Sequence, residues 1–163
     1  MKKKLILVAF IGLFLLAGCG ADETKTNQGT SSSGTLSCTK TEYDEDGYKT
    51  TDTMIVKYKK NIVTNVSETN VSEMDTDIID MSLSFGNLFA EALNEIDGMD
   101  VKYTKLSDNE LEFTIDVDYS KIDLEKIKEA FGDAYDESQA TMYTKNVSLD
   151  TFKTDILSDY TCE

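Results

Sequence analysis

Three cysteines, Cys19, Cys38 and Cys162, are the residues of this chain best suited to covalent chemistry. The thiolate is the side-chain nucleophile that ends readily in a thioether or a disulfide. Cys19 closes the run Leu15-Leu16-Ala17-Gly18-Cys19, so its thiol follows two small residues of the kind a peptidase needs before a cut. Cys38 and Cys162 stand near the two ends of the remaining chain, and no Cys-x-x-Cys spacing occurs, which argues against a thioredoxin-like redox centre. The other candidates are carboxylates: 31 Asp and Glu against 16 Lys, with no His and no Arg. Without imidazole there is no Ser-His-Asp or Cys-His site and none of the commonest transition-metal ligand. Without guanidinium the usual bidentate clamp for carboxylate or phosphate is missing.

The elements ahead of Cys19 form an export signal. Lys2, Lys3 and Lys4 are its positive start, residues 5–16 its apolar stretch, and Ala17-Gly18 its cleavage end. The apolar run is shorter than the ~20 residues of a permanent membrane span. The alternative, a buried N-terminal helix, fits the three charges and the Gly-Cys-Gly ending less well. The small residues followed by Cys19 resemble the lipobox of bacterial lipoproteins. That resemblance implies diacylglyceryl transfer to the Cys19 sulfur, cleavage between Gly18 and Cys19, and removal of residues 1–18 as a signal peptide. Two acyl chains hold a protein on a membrane stably where one does not. The expected location is the extracytoplasmic face of the cell membrane, with no cofactor beyond the lipid on Cys19.

Removing residues 1–18 leaves 145 residues, enough for one domain, with 13 lysines against 31 acids and a net charge of −18. So negative a chain, with no basic patch, is unsuited to nucleic acid or anionic headgroups. Its charge suits a solvated surface or a cationic peptide, and a monomer is expected. Cys38 and Cys162, an even pair in an exported chain, read as a disulfide stapling both ends of the domain. Closing about 125 residues is worth at most about 5 kcal/mol in the chain-entropy model. Two free thiols are the alternative.

Residues 19–34 carry no large apolar side chain and read as a flexible tether, about 20 Å in r.m.s. span. The folded part is expected over residues 35–163. Segments 36–43 and 48–58 flank the turn-forming Asp44-Glu45-Asp46-Gly47, and Met54, Val56 and Tyr58 alternate as in a half-buried strand. Lys59-Lys60-Asn61 predicts the next turn, with Ile62, Thr64 and Val66 beyond it. Thr64-Asn65-Val66-Ser67-Glu68 then repeats as Thr69-Asn70-Val71-Ser72-Glu73, a five-residue period that reads as a strand running into a loop.

Residues 77–97 predict the longest helix. Ile78, Met81, Phe85, Leu88, Phe89, Ala92 and Ile96 form its expected core stripe, with N-caps at Asp75, Thr76 or Asp77 and Gly98 at its end. A second hairpin follows, ending in Leu111, Phe113, Ile115, Val117 and Tyr119. Asp123 caps a short helix, residues 132–147 are ambiguous, and Ser148 starts a last helix with Phe152, Ile156, Leu157 and Tyr160 inward. About five strands grouped in hairpins, with one long and two short helices, predict an α+β fold around an antiparallel sheet.

No catalytic or metal constellation emerges. Asp44/Asp46, Asp97/Asp100 and Asp116/Asp118 with Asp123 are acidic clusters of the kind that bind Ca²⁺. An EF-hand counted from Asp116 needs Gly and Glu where Lys121 and Ile127 stand. Asp116 and Asp118 read instead as the wet face of a strand. A carboxylate-based hydrolase needs two facing acids, one with a raised pKa, and the sequence selects no pair. There is no Gly-rich phosphate loop.

The lipobox, the segment Tyr-Lys-Lys-Asn-Ile-Val-Thr-Asn-Val over 58–66 and the segment Thr-Ile-Asp-Val-Asp-Tyr-Ser-Lys-Ile-Asp-Leu-Glu-Lys-Ile over 114–127 resemble the YehR-like small bacterial lipoproteins. The resemblance implies an α+β domain of unknown function and transfers no site residue. The resulting expectation is a lipid-anchored, non-enzymatic binding domain for a protein or other envelope component. The alternatives are an envelope small-ligand or Ca²⁺-binding protein, or a carboxylate-based hydrolase.

Overall fold

The computed structural model describes residues 33–132 and 141–163. The signal segment, Gly18, Cys19, the tether up to residue 32 and part of the ambiguous stretch 132–147 lie outside them. The architecture is α+β, a six-stranded antiparallel sheet with helices packed on one face.

β1 (Ser33–Tyr43) and β2 (Lys49–Lys59) form the first hairpin. Its turn is organised by Asp44, whose Oδ1 accepts from the backbone N–H of Asp46 at 3.0 Å and of Tyr48 at 2.8 Å, while Gly47 takes a φ of +85°. Lys60 and Asn61, at φ 53° and 62°, make the two-residue turn into β3 (Ile62–Glu73). Two central residues with positive φ give a turn whose twist matches that of the strands. α1 (Ile79–Asn94) then leads to the hairpin of β4 (Met99–Lys105) and β5 (Glu110–Asp118). β5 pairs with β3, so the sheet order is β4-β5-β3-β2-β1-β6. α2 (Leu124–Phe131) and α3 (Leu149–Asp155) are capped by Asp123 and Ser148, which accept from the backbone N–H of Glu125 and Thr151. β6 (Thr161–Cys162) adds a last short strand to β1.

Alternation sets the two faces. Even-numbered residues of β2 point inward, with Met54 and Val56 fully buried, while Ile55 on the other side stays exposed. Ala90 and Leu93 of α1, Ile127 of α2 and Phe152 of α3 join that inner face in one core.

β1 begins at Ser33, so Ser33 and Gly34 of the expected 19–34 tether belong to the sheet, paired with Lys59 and Tyr58. The structure departs from the sequence expectations at three further places. The five-residue repeat does not run into a loop; all of Ile62–Glu73 is strand. An irregular register opposite Lys57 and Tyr58 leaves Thr64 unpaired, so both Val63 and Val66 face the core. Its carbonyl accepts from Tyr119 N–H at 3.0 Å, which ties the bulge to the end of β5. The sheet also has a sixth strand, since β6 pairs through only two residues and is too short to leave a periodic signal.

The third departure concerns α1. Ile79, Leu83, Gly86, Ala90 and Leu93 form its inner side, while Met81, Phe85, Leu88 and Ala92 of the expected stripe face solvent. Gly86 decides this: a Cβ there would lie 2.5 Å from the Tyr103 ring, so this side comes too close to the sheet for Phe85 or Leu88. Ile78, not an acid, occupies the N-cap position and makes no side-chain cap bond.

Candidate functional site

The inner face of the sheet changes character along its strands, and the pairing register shows where. One row reads Met99–Val117–Val66–Val56–Leu36, apolar throughout. The next reads Val101–Ile115–Glu68–Met54–Cys38, with one carboxyl among apolar neighbours. The third reads Tyr103–Phe113–Asn70–Asp52–Lys40, and the fourth Lys105–Leu111–Ser72–Thr50–Glu42. Inward positions of β3 are therefore Val66, Glu68, Asn70 and Ser72, a strand face that turns polar halfway along.

Asp52 and Glu68 are diagonal neighbours on β2 and β3, close enough for their side chains to interact. The Asn70 amide donates to Asp52 Oδ1. Ser72 Oγ donates to Asn70 Oδ1 at 2.7 Å and lies 3.2 Å from Thr50 Oγ1, so four side chains form one chain of hydrogen bonds. Lys40, directly across from Asp52, is held by Glu42 at 2.9 Å and reaches Asp159 at 4.0 Å. Glu68 stands outside this network: among the described residues no hydrogen bond or ion pair reaches its carboxyl.

Burial pushes the Glu68 carboxyl up to about 7, and the Asp52 charge adds to the rise. Burial also raises Asp52, against the lowering effects of the Asn70 bond and the Lys40 charge. Tyr160, beyond α3, faces the same place. Burial raises its hydroxyl pKa first, and the negative charges of Glu68 and Asp52 raise it further. Glu68, Asn70, Thr50 and Lys40 all keep partial access to solvent. The arrangement is a half-buried polar site with two coupled carboxyls, one fixed by an amide and one unpaired. It is suited to receive a cationic group or to hold a proton near neutrality.

Other residues singled out in the sequence sit elsewhere. Cys38 and Cys162 are bonded to each other across the β1–β6 pair, at the edge of the row that contains Glu68. Asp44 is occupied by its turn, and Asp118 accepts from Ser120 and Lys121, with the Ser120 bond drawing its carboxyl below the ordinary value. Among the described residues no three Cys, Asp or Glu side chains converge as metal ligands do. Sequence reasoning missed Asp52, Glu68 and Asn70. The one available signal was spacing: Glu68, Asn70 and Ser72 follow the core residue Val66 at two-residue steps, without the apolar–polar alternation that marks a strand.

The architecture defines a class, an antiparallel α+β sandwich with one helical layer, and two solved structures share it. One is a Streptococcus pneumoniae TIGR4 protein solved by NMR, 15% identical, covering 91% of this chain and 94% of its own, with a TM-score of 0.57. The other is the Escherichia coli YehR protein, also by NMR, 12% identical, covering 81% of this chain and 91% of its own, with a TM-score of 0.57. At such identities the likeness is one of fold. No family model and no curated protein matches the chain.

Proposed function

We propose that this protein is a lipid-anchored, extracytoplasmic, non-enzymatic binding domain whose inner-face site takes a cationic group such as a primary ammonium. The observation that carries the reading is the carboxyl of the half-buried Glu68, beside Asp52 and without a bonded partner among the described residues. A carboxyl in that position costs stability when ionised, and an incoming ammonium removes the cost by pairing with it. Asn70 fixes Asp52, so the second charge is already oriented. The acidic chain favours cationic ligands at longer range. The Leu15 to Cys19 motif supports the anchor, and mass spectrometry of the mature N-terminal peptide tests it by finding diacylglycerol on Cys19.

The site is tested by titrating the protein with a tri-lysine peptide and following backbone amide signals. Shifts confined to Glu68, Asn70 and Tyr160, with binding weakened at least tenfold in Glu68→Gln, are expected. Shifts scattered evenly over the acidic surface would refute the assignment. A second reading has one observation in its favour: two adjacent carboxyls with raised pKa are also what acid–base hydrolysis uses. Release of reducing sugar from cell-wall glycans, abolished in both Asp52→Asn and Glu68→Gln, would select that reading instead.

A further inference from the structure

α1 is apolar on two opposite sides. Its inner side packs on β4, whereas Met81, Phe85 and Leu88, at four- and three-residue steps, are 52%, 69% and 65% exposed. They account for three of the six large hydrophobic residues exposed in the described chain, and they lie in one line. Phe89 borders the line and stacks edge-on against Phe131 of α2 at 5.2 Å, which widens the apolar surface on that flank. Scattered exposed apolar residues need no explanation, but an aligned cluster rimmed by polar groups marks a contact surface.

Charge says what fits there. No lysine occurs between Lys60 and Lys102, while residues 73–100 hold eight acids. Asp80 is paired with Lys105 at 2.9 Å, but Glu91, Glu95 and Asp97 are exposed along the second half of the helix and beyond it. A second copy of the chain would set these acids against their equivalents, and an anionic bilayer would be repelled in the same way. A helix with apolar residues at three- and four-residue spacing and lysine or arginine on its flanks matches both features.

We propose that the outer side of α1 is a docking surface for a cationic amphipathic helix of another protein. Met81, Phe85 and Leu88 are its apolar anchors, and Glu91, Glu95 and Asp97 set the polarity of the partner. This surface is separate from the inner-face site, and one helix of contact makes a small interface of the transient kind. The test uses the full-length protein in phosphatidylcholine nanodiscs with three 18-residue probes: an amphipathic Lys/Leu helix, the same residues scrambled, and a Glu/Leu helix. The Lys/Leu helix is expected to bind at least tenfold tighter than either control. It should shift the amides of residues 81, 85 and 88 and lose at least tenfold in affinity in the Phe85→Ser/Leu88→Ser double variant. Equal binding of the scrambled probe, or a footprint centred on Glu68 and Asn70, would overturn the proposal. The footprint is read on the unmodified protein, so the test stands even if the double variant fails to fold.

Discussion

At one end of the sheet's inner face Met99, Val117, Val66 and Val56 lie side by side under the helices, each 7% exposed or less. Four residues further along the same strands the row becomes Tyr103, Phe113, Asn70, Asp52 and Lys40. The backbone is the same and so is the side of the sheet; only the side chains differ. The first end gains stability from apolar area removed from water. The second gives up that gain, satisfies Asp52, Asn70, Ser72 and Thr50 among themselves, and leaves Glu68 unsatisfied at the boundary. Polar residues in inward register lower stability unless every member is bonded. One member left open at the edge of that network is the feature on which the proposed site rests.

The largest effect should come from the apolar end. Phe152 of α3 is fully buried in the main core, and Phe152→Ala is expected to cost about 3–5 kcal/mol of unfolding free energy through lost burial and the cavity left behind. Urea denaturation measures it. A loss under 1 kcal/mol would mean that the helical layer contributes little and that the contrast between the two ends is weaker than the burial implies.

The Cys38–Cys162 bond comes next because it pins β6 to β1 at the edge of the Glu68 row. Cys38→Ser/Cys162→Ser is expected to cost about 2–4 kcal/mol, below the chain-entropy limit because the rest of the sheet also orders that edge. Peptide mapping under non-reducing conditions checks the bond itself. Amide exchange in the double variant should quicken around residues 36–40 and 160–163 and leave β4 and β5 unchanged. Uniform quickening would show that the staple supports the whole domain.

Much of the apolar end was legible in the sequence, and little of the polar end was. Met54 and Val56, Ile115 and Val117, and Phe152, Ile156 and Leu157 were found because period-two and helical spacing mark a core directly. Asp123 and Ser148 were found because a side-chain oxygen ahead of a helix has one dominant use. Glu68 and Asn70 were lost for the converse reason: polar residues on both faces of β3 remove the alternation that identifies a strand. On α1 two apolar stripes compete, and hydrophobicity favours the one with larger residues. The structure buries the other because Gly86 and Ala90 permit close approach to β4, a distance that composition does not record. The Asp52–Glu68 pair depends on the β2–β3 register, which the bulge at Thr64 sets, and no local pattern carries a bulge.

Glu68→Gln should have an effect of opposite sign. The folded protein holds the Glu68 proton to about pH 7 against an ordinary value of 4.5, so between those values the folded state binds more protons than the unfolded chain. Stability from this group is therefore fully present below pH 4.5 and is lost as pH rises through 7. The shift sets an upper limit of about 3 kcal/mol on the penalty at pH 8, and partial solvent access reduces it to about 2 kcal/mol. Glutamine keeps the shape and cannot ionise. Glu68→Gln should thus be more stable than the parent by about 2 kcal/mol at pH 8, about equal at pH 4.5, and flatter between. Thermal unfolding across that range separates the two ends of the sheet: a core glutamate bonded out of sight would give no gain at any pH. A variant that gains stability at pH 8 while losing affinity for tri-lysine would show that the native residue is kept for binding at the expense of folding, the trade expected of a functional site.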